Sequence, residues 1–270
     1  MTSPLVMALG GLAPLSRDDD EALARLGRHS VQSVAARRHL VRQGGTCGGV
    51  LLILDGWACR YKALADGRRQ TLGFLLPGDL CDPNVYLLDQ IDHGISAITP
   101  VRYADISRVQ MDVLNARSTR LADAVARSVL VTAAIQREWI LSLGRRNARE
   151  QIAHLIAELF HRLRMIGQVQ GASCHFPLTQ GDLADATGLT PVHVNRVLKD
   201  MRREGLIEFD HRTLVIPNLA ALERAGLFDP AYLQLYDPYR PTDGGDDHTV
   251  GSGRRRSKGQ LMFVYEHGDA

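Results

Sequence analysis

The sequence predicts an α+β protein: an N-terminal antiparallel β-domain, a long helix, and a C-terminal winged helix-turn-helix. Three observations lead there. Between Val31 and Ser107 the apolar residues come in short runs broken by glycine, the pattern of strands and tight turns. From Val109 to Leu143 they recur at three- and four-residue steps, with no proline or glycine until Gly144. From Leu178 to Arg212 two short helical patterns flank a glycine turn and lead into strand-like runs.

The bulk numbers allow two domains and exclude several classes. A chain of 270 residues can bury two cores. Its formal net charge is only +2, so evidence for a nucleic-acid partner must be local. No apolar run approaches the roughly 18 residues that cross a bilayer, so no membrane partner is expected. The start, MTSPLVMALGGLAPLSRDDD, lacks the basic segment of a signal peptide, and the expected compartment is cytoplasmic. Cys47, Cys59, Cys81 and Cys174 are widely spaced, with no CxxC pair, and should mostly be small buried hydrophobes. There is no P-loop, GxSxG or HExxH, so an enzyme is not expected.

In chain order, residues 1–14 form an N-terminal extension and 15–108 the β-domain. The latter opens with a helix over Leu15 to Leu26, capped by Ser16 with acids in its first turn. The runs HLVRQGG, GGVLLILDGWACRYKAL, GRRQTLGFLLPGD and ISAITPVRYADI follow as strands. Asp55-Gly56 and Asp66-Gly67, each flanked by such runs, read as hairpin turns. No helical crossovers separate the strands, so a sandwich or barrel-like domain is expected and a parallel sheet is not.

Residues 109–143 read as one helix. Met111, Leu114, Leu121, Val125, Ser128, Thr132, Ile135 and Trp139 share its apolar stripe. A helix of roughly 35 residues is about 50 Å long, and one seam of that length suggests a two-stranded coiled coil and hence a homodimer. The alternative is a helix lying along its own β-domain. Gly144 to Asn147 is the expected pivot into the C-terminal domain, 144–228. That domain begins with a second amphipathic helix, Ala148 to Ile166, followed by a loop over Gly167 to Ser173. Residues 238–270 turn to Gly, Asp, Ser and Arg and read as a disordered tail.

The stretch from Leu178 carries the chemistry. Thr179 caps a first helix with Asp182 as its capping-box partner, and Gly188 supplies the left-handed turn residue. Thr190 caps the second helix, Pro191 starts it and Gly205 ends it. On a helical wheel Val194, Val197, Leu198 and Met201 form the inner stripe. Val192, Arg196, Lys199 and Arg203 lie opposite, with His193 and Asn195 on the shoulders. A DNA-reading helix enters the major groove by its N-terminal end, so Val192, His193, Asn195 and Arg196 are the candidate base contacts. Arg196 suits guanine O6/N7 and Val192 a thymine methyl. Lys199, Arg203 and the helix starts Thr179, Gln180 and Thr190 are the candidate phosphate contacts. The runs around Phe209 and Leu214 read as a β-wing.

These residues, in this order, resemble the Crp/Fnr family of bacterial transcription regulators, from about Leu15 to Ala225. GWACRYKALADGRRQTLGFLLPGDL and LTPVHVNRVLKDMRREGLI carry the resemblance. It implies a jelly-roll-like β-roll that senses a signal, a dimer helix and a winged helix-turn-helix that binds double-stranded DNA. It also implies a recognition arginine at Arg196 and wing phosphate contacts at His211, with Arg212 beside it. In the sensor half it implies an effector pocket at Gly78, Asp79 and Leu80, with Ser96 and Ala97. Ile95 stands where the cyclic-AMP-binding members carry arginine, which argues against that ligand. No N-terminal cysteine cluster is present for an iron–sulfur centre, and haem at Cys81 or His93 stays open, so the cofactor is unknown. RNA polymerase as a partner, and a cyclic-nucleotide module acting on a protein instead of DNA, stay open as well.

Overall fold

The computed structural model describes residues 3–28, 30–46 and 48–235. Cys47 and the expected tail, 238–270, lie outside them. Two helices come first, α1 (Pro4–Gly10) and α2 (Arg17–Leu26). Ser16 caps α2 as its sequence implied, and the Asp19 carboxylate returns the bond to the Ser16 amide. The expected N-terminal extension is not separate. Leu5, Val6 and Leu9 of α1 are buried in one cluster with Leu23 of α2 and Val50 and Leu52 of the β-domain.

Eight strands follow: β1 (Val31–Val34), β2 (His39–Val41), β3 (Gly49–Asp55), β4 (Ala58–Ala63), β5 (Arg69–Leu75), β6 (Leu80–Cys81), β7 (Gly94–Ala97) and β8 (Val101–Ser107). They form two four-stranded antiparallel sheets, ordered β1-β8-β3-β6 and β2-β7-β4-β5. Leu51, Ile53, Ala58, Leu75, Ile95 and Val101 fill the core between them. Asp66-Gly67 turns the β4–β5 hairpin, with Gly67 at φ 88°. Asp55-Gly56 does not turn a hairpin. It is a corner where the chain leaves one sheet for the other. Gly56 is needed there because a Cβ would come within 2.1 Å of the Pro100 carbonyl oxygen.

The expected single helix over 109–143 is two, α3 (Arg108–Arg117) and α4 (Thr119–Arg145). Ser118 breaks them by taking extended backbone and capping α4 through the Leu121 amide. The expected dimer stripe also faces inward. Met111, Leu114, Leu121 and Val125 are buried against α1, α2 and the β-domain. Ile135 and Trp139 are buried in the second core. Ser128 and Thr132 are half-buried, with their hydroxyls bonded back to Val125 O and Ser128 O. The chain's own elements cover the stripe, and the side left outside carries Ala126, Val129, Leu130, Ile140 and Leu141.

Gly144 remains helical within α4. The break falls at Arg146 and Asn147, where Asn147 caps α5 (Ala148–Met165). Ile152, Leu155, Ile156, Leu159, Phe160 and Leu163 of α5 are buried as expected. Its other side is buried too: His154, Glu158 and His161 lie against Gly226, Tyr232 and Glu223, and Gln151 donates to Ser142 O and Arg146 O. The remaining elements are β9 (Val169–Gln170), β10 (Ser173–His175), α6 (Gln180–Thr187), α7 (Pro191–Arg203), β11 (Glu208–Asp210), β12 (Thr213–Val215) and α8 (Leu219–Ala225). The expected Gly167–Ser173 loop contains β9, so the wing is a four-stranded sheet, β11-β12-β10-β9.

Candidate nucleic-acid interface

Local chemistry sets the two helices of the interface. Thr179 accepts from the Asp182 amide while the Asp182 carboxylate accepts from the Thr179 amide and hydroxyl. Gly188 ends α6 in the left-handed conformation at φ 67°. Thr190 accepts from the His193 amide and Pro191 opens α7. Val194, Val197, Leu198 and Met201 are all buried, which fixes the roll of α7 about its axis. Val192 is consequently 73% exposed. His193, Arg196, Lys199 and Arg203 are exposed as well, and Asn195 is half-buried. Among the described residues the Arg196 and Lys199 side chains have no hydrogen-bond or ion-pair partner, so their donors stay available. Arg203 pairs with Asp200 at 2.6 Å on the surface, a contact of little net strength.

At the wing, His211 turns the β11–β12 hairpin at φ 55°, and its Nδ1 lies 2.8 Å from Asp210. Arg212 is exposed beside it. Thr179, Gln180, Arg202, His211 and Arg212 border one cleft of about 540 Å³. Its opposite wall belongs to the β-domain: Arg37, Ile98, Thr99 and Pro100.

That wall is fastened to α6. Arg37 makes a two-pronged ion pair with Asp182, Arg69 Nε lies 3.9 Å from Asp185, and Gln70 donates to Ala186 O at 3.1 Å. Burial would raise the Asp182 carboxyl, but the bonds from Arg37 and Thr179 hold it below the usual range. None of Arg37, Arg69 or Gln70 stands out in the sequence, because nothing local marks a contact made between domains.

A second cavity, about 640 Å³, lies between the β-domain, α1, α4 and α5. Gly78, Asp79 and Leu80 line it. Ser96 and Ala97 do not. Ala97 is in the core between the sheets, and Ser96 points the other way, bonding Arg69 Nη2 at 2.8 Å and Cys59 Sγ at 3.4 Å. Successive strand residues face opposite sides, and neither side of β7 opens on the cavity at these positions. Besides Asp79, the charged or ionisable residues that line it are Arg60, Asp82, Asp92, His93 and Arg162. Asp82 lies 3.3 Å from Arg60 and 3.0 Å from His93, whose other ring nitrogen is 2.9 Å from Asp92. Burial works against the Asp82 charge, yet Arg60 and His93 hold its pKa at about 2. The bond to Asp82 in turn raises His93. Cys81 is buried in the core between the sheets, and burial raises the Cys59 thiol and pushes Cys174 up to about 12.

Comparison with known proteins agrees with both halves. Residues 150–225 match the model of a Crp-like helix-turn-helix domain and residues 31–118 that of a cyclic nucleotide-binding domain. The transcriptional activator protein FnrL of Cereibacter sphaeroides is 28% identical over 221 residues, covering 79% of this chain and 88% of that one. The nitrogen fixation regulation protein FixK of Bradyrhizobium diazoefficiens is 29% identical over 173 residues, covering 63% and 71%. Among solved structures, FixK2 from Bradyrhizobium japonicum superposes with a TM-score of 0.63 at 22% identity, covering 73% of this chain and 96% of that chain. A CRP-family transcriptional regulator from Thermus thermophilus gives 0.57 at 25% identity, covering 72% and 96%.

Proposed function

The chain is a DNA-binding transcription regulator of the Crp/Fnr family, and we propose that it reads an inverted-repeat operator as a homodimer in response to a small molecule. The observation that carries this is the outer face of α7, where Arg196 and Lys199 stand without intramolecular partners among the described residues, above a fully buried stripe. In this reading Val192, His193, Asn195 and Arg196 meet base edges. Thr179, Gln180, Thr190, Lys199, Arg203, His211 and Arg212 meet phosphates. By two-fold symmetry the half-site centres are about 10 bp apart.

The dimer forms through the outward side of α4. Ala126, Leu130, Ala133, Arg137, Ile140 and Gly144 follow alternating steps of four and three, the spacing of a coiled-coil seam. Leu130 is 68% and Ile140 70% exposed, a poor arrangement for a helix facing water. The signal enters the cavity beside Asp79. The cations there are already paired to carboxylates, Arg162 to Asp79, Arg60 to Asp82 and His93 to Asp82 and Asp92. That balance suits an occupant offering hydrogen-bond donors better than a phosphate.

A gel-shift titration of duplex DNA at increasing salt tests the proposal. Affinity should fall steeply and linearly on a log–log plot, as phosphate neutralisation requires. Binding that ignores salt would refute it.

A further inference from the structure

Arg162 lies on α5 beside the β-domain, and its role rests on the regulator reading above. Its guanidinium sits between two carboxylates. Nη2 donates to Asp79 Oδ2 at 2.7 Å and to Phe74 O at 3.1 Å, both in the β-domain. Nη1 lies 3.6 Å from Glu158 Oε1, one turn earlier on α5 and beyond hydrogen-bond reach. Glu158 is completely buried. Its Oε2 accepts from Trp139 Nε1 of α4 and from the Tyr232 hydroxyl, both at 3.0 Å. Its Oε1 has no hydrogen-bond partner among the described residues. A buried carboxylate oxygen left this way is costly, and the group that can satisfy it is already engaged by Asp79.

Asp79 also faces the sensor cavity. We infer that Arg162 is a two-position link: held by Asp79 it fastens the DNA-binding half to the sensor, and released by a donor bound in the cavity it turns to Glu158. The released position completes the Glu158 pair and reseats Trp139 and Tyr232, so the change reaches both α4 and the chain after α8. An occupant can drive this only by binding one position better than the other, and competition for Asp79 is such a difference. The fastened position is the one in which Arg37 holds Asp182 and the β-domain walls the cleft beside Thr179 and Gln180. Release therefore raises DNA affinity.

Asp79→Asn mimics release, because asparagine still accepts from the Leu76 amide that bonds Asp79 at 2.7 Å but loses the charge that holds Arg162. In fluorescence anisotropy on an operator selected from random duplex DNA, Asp79→Asn and Arg162→Gln should each bind at least fivefold tighter than the unaltered chain. The double variant should bind no tighter than Arg162→Gln alone. A second arm needs no DNA: in a Trp57→Phe background, Asp79→Asn should shift the Trp139 emission, and Arg162→Gln should abolish that shift. Multiplicative effects on affinity, or an unmoved Trp139 emission, would overturn the link. If no variant bound DNA, the regulator reading would fall, and the emission arm would still decide whether Arg162 moves.

Discussion

His154 offers a sharp test of how the DNA-binding half is built. It is 1% exposed on α5. Its ring nitrogens face Gly226 O at 3.3 Å and the Tyr232 hydroxyl at 3.2 Å, and the ring stacks on Tyr232. Burial, aided by the nearby Arg146 charge, lowers its pKa to about 4. In the unfolded chain the value is about 6.5. A lowered histidine means that the unfolded state binds more protons between those two values. Stability is then full above the unfolded pKa and is lost as the pH falls toward the folded one. Between pH 7 and 5 the loss assignable to His154 is about 2 kcal/mol. His161, also lowered by burial, adds a loss of the same sign, while the raised His93 opposes it. The comparison must therefore be with His154→Gln, which keeps a donor for Gly226 O but does not titrate. Urea unfolding followed by tryptophan fluorescence at pH 7 and pH 5, at one protein concentration, measures both chains. The unaltered chain should lose about 2 kcal/mol more than the variant. Equal losses would refute the reasoning.

Three further outcomes are expected. Gly226→Ala would put a Cβ 2.5 Å from the His154 amide nitrogen and 2.8 Å from the Ala153 carbonyl carbon, prising the end of α8 from α5. It should cost about 1–3 kcal/mol in a thermal melt. Gly144→Ala meets open space inside α4 and should stabilise by roughly 0.5–1 kcal/mol. Since the helix break lies at Arg146, its DNA response should stay unchanged, and an altered response in the gel shift would return the pivot to Gly144. Leu130→Glu should leave the fold intact by circular dichroism and yield monomers in sedimentation; a persistent dimer would place the seam elsewhere.

What the sequence made legible was local. The N-cap at Ser16, the capping box at Thr179, the left-handed Gly188, the Asp66-Gly67 hairpin and the buried stripe of α7 depend on residues a few positions apart. What it concealed depended on distant neighbours. A three-and-four stripe tells which side of α4 is apolar, not whether α1, α2 and the β-domain already cover it. Ser118 caps a new helix, yet a serine inside a helical pattern reads as tolerated. Asp55-Gly56 looks the same whether the next strand pairs with the last or leaves for another sheet. His154, Glu158 and His161 read as a solvated face until α8 and Tyr232 pack over them. Ser96 and Ala97 lie where neither side of β7 opens on the cavity, whereas Asp92 and His93, just before β7, reach it.

The central claim is that α7 reads sequence through Arg196, and selection from random duplex DNA tests it most directly. The unaltered chain should enrich an inverted repeat with half-site centres about 10 bp apart. Arg196→Ala should enrich the same repeat with preference lost at one base pair in each half-site, at a cost of roughly 1–3 kcal/mol. Enrichment of no common sequence, or an identical motif merely bound more weakly everywhere by the variant, would contradict it.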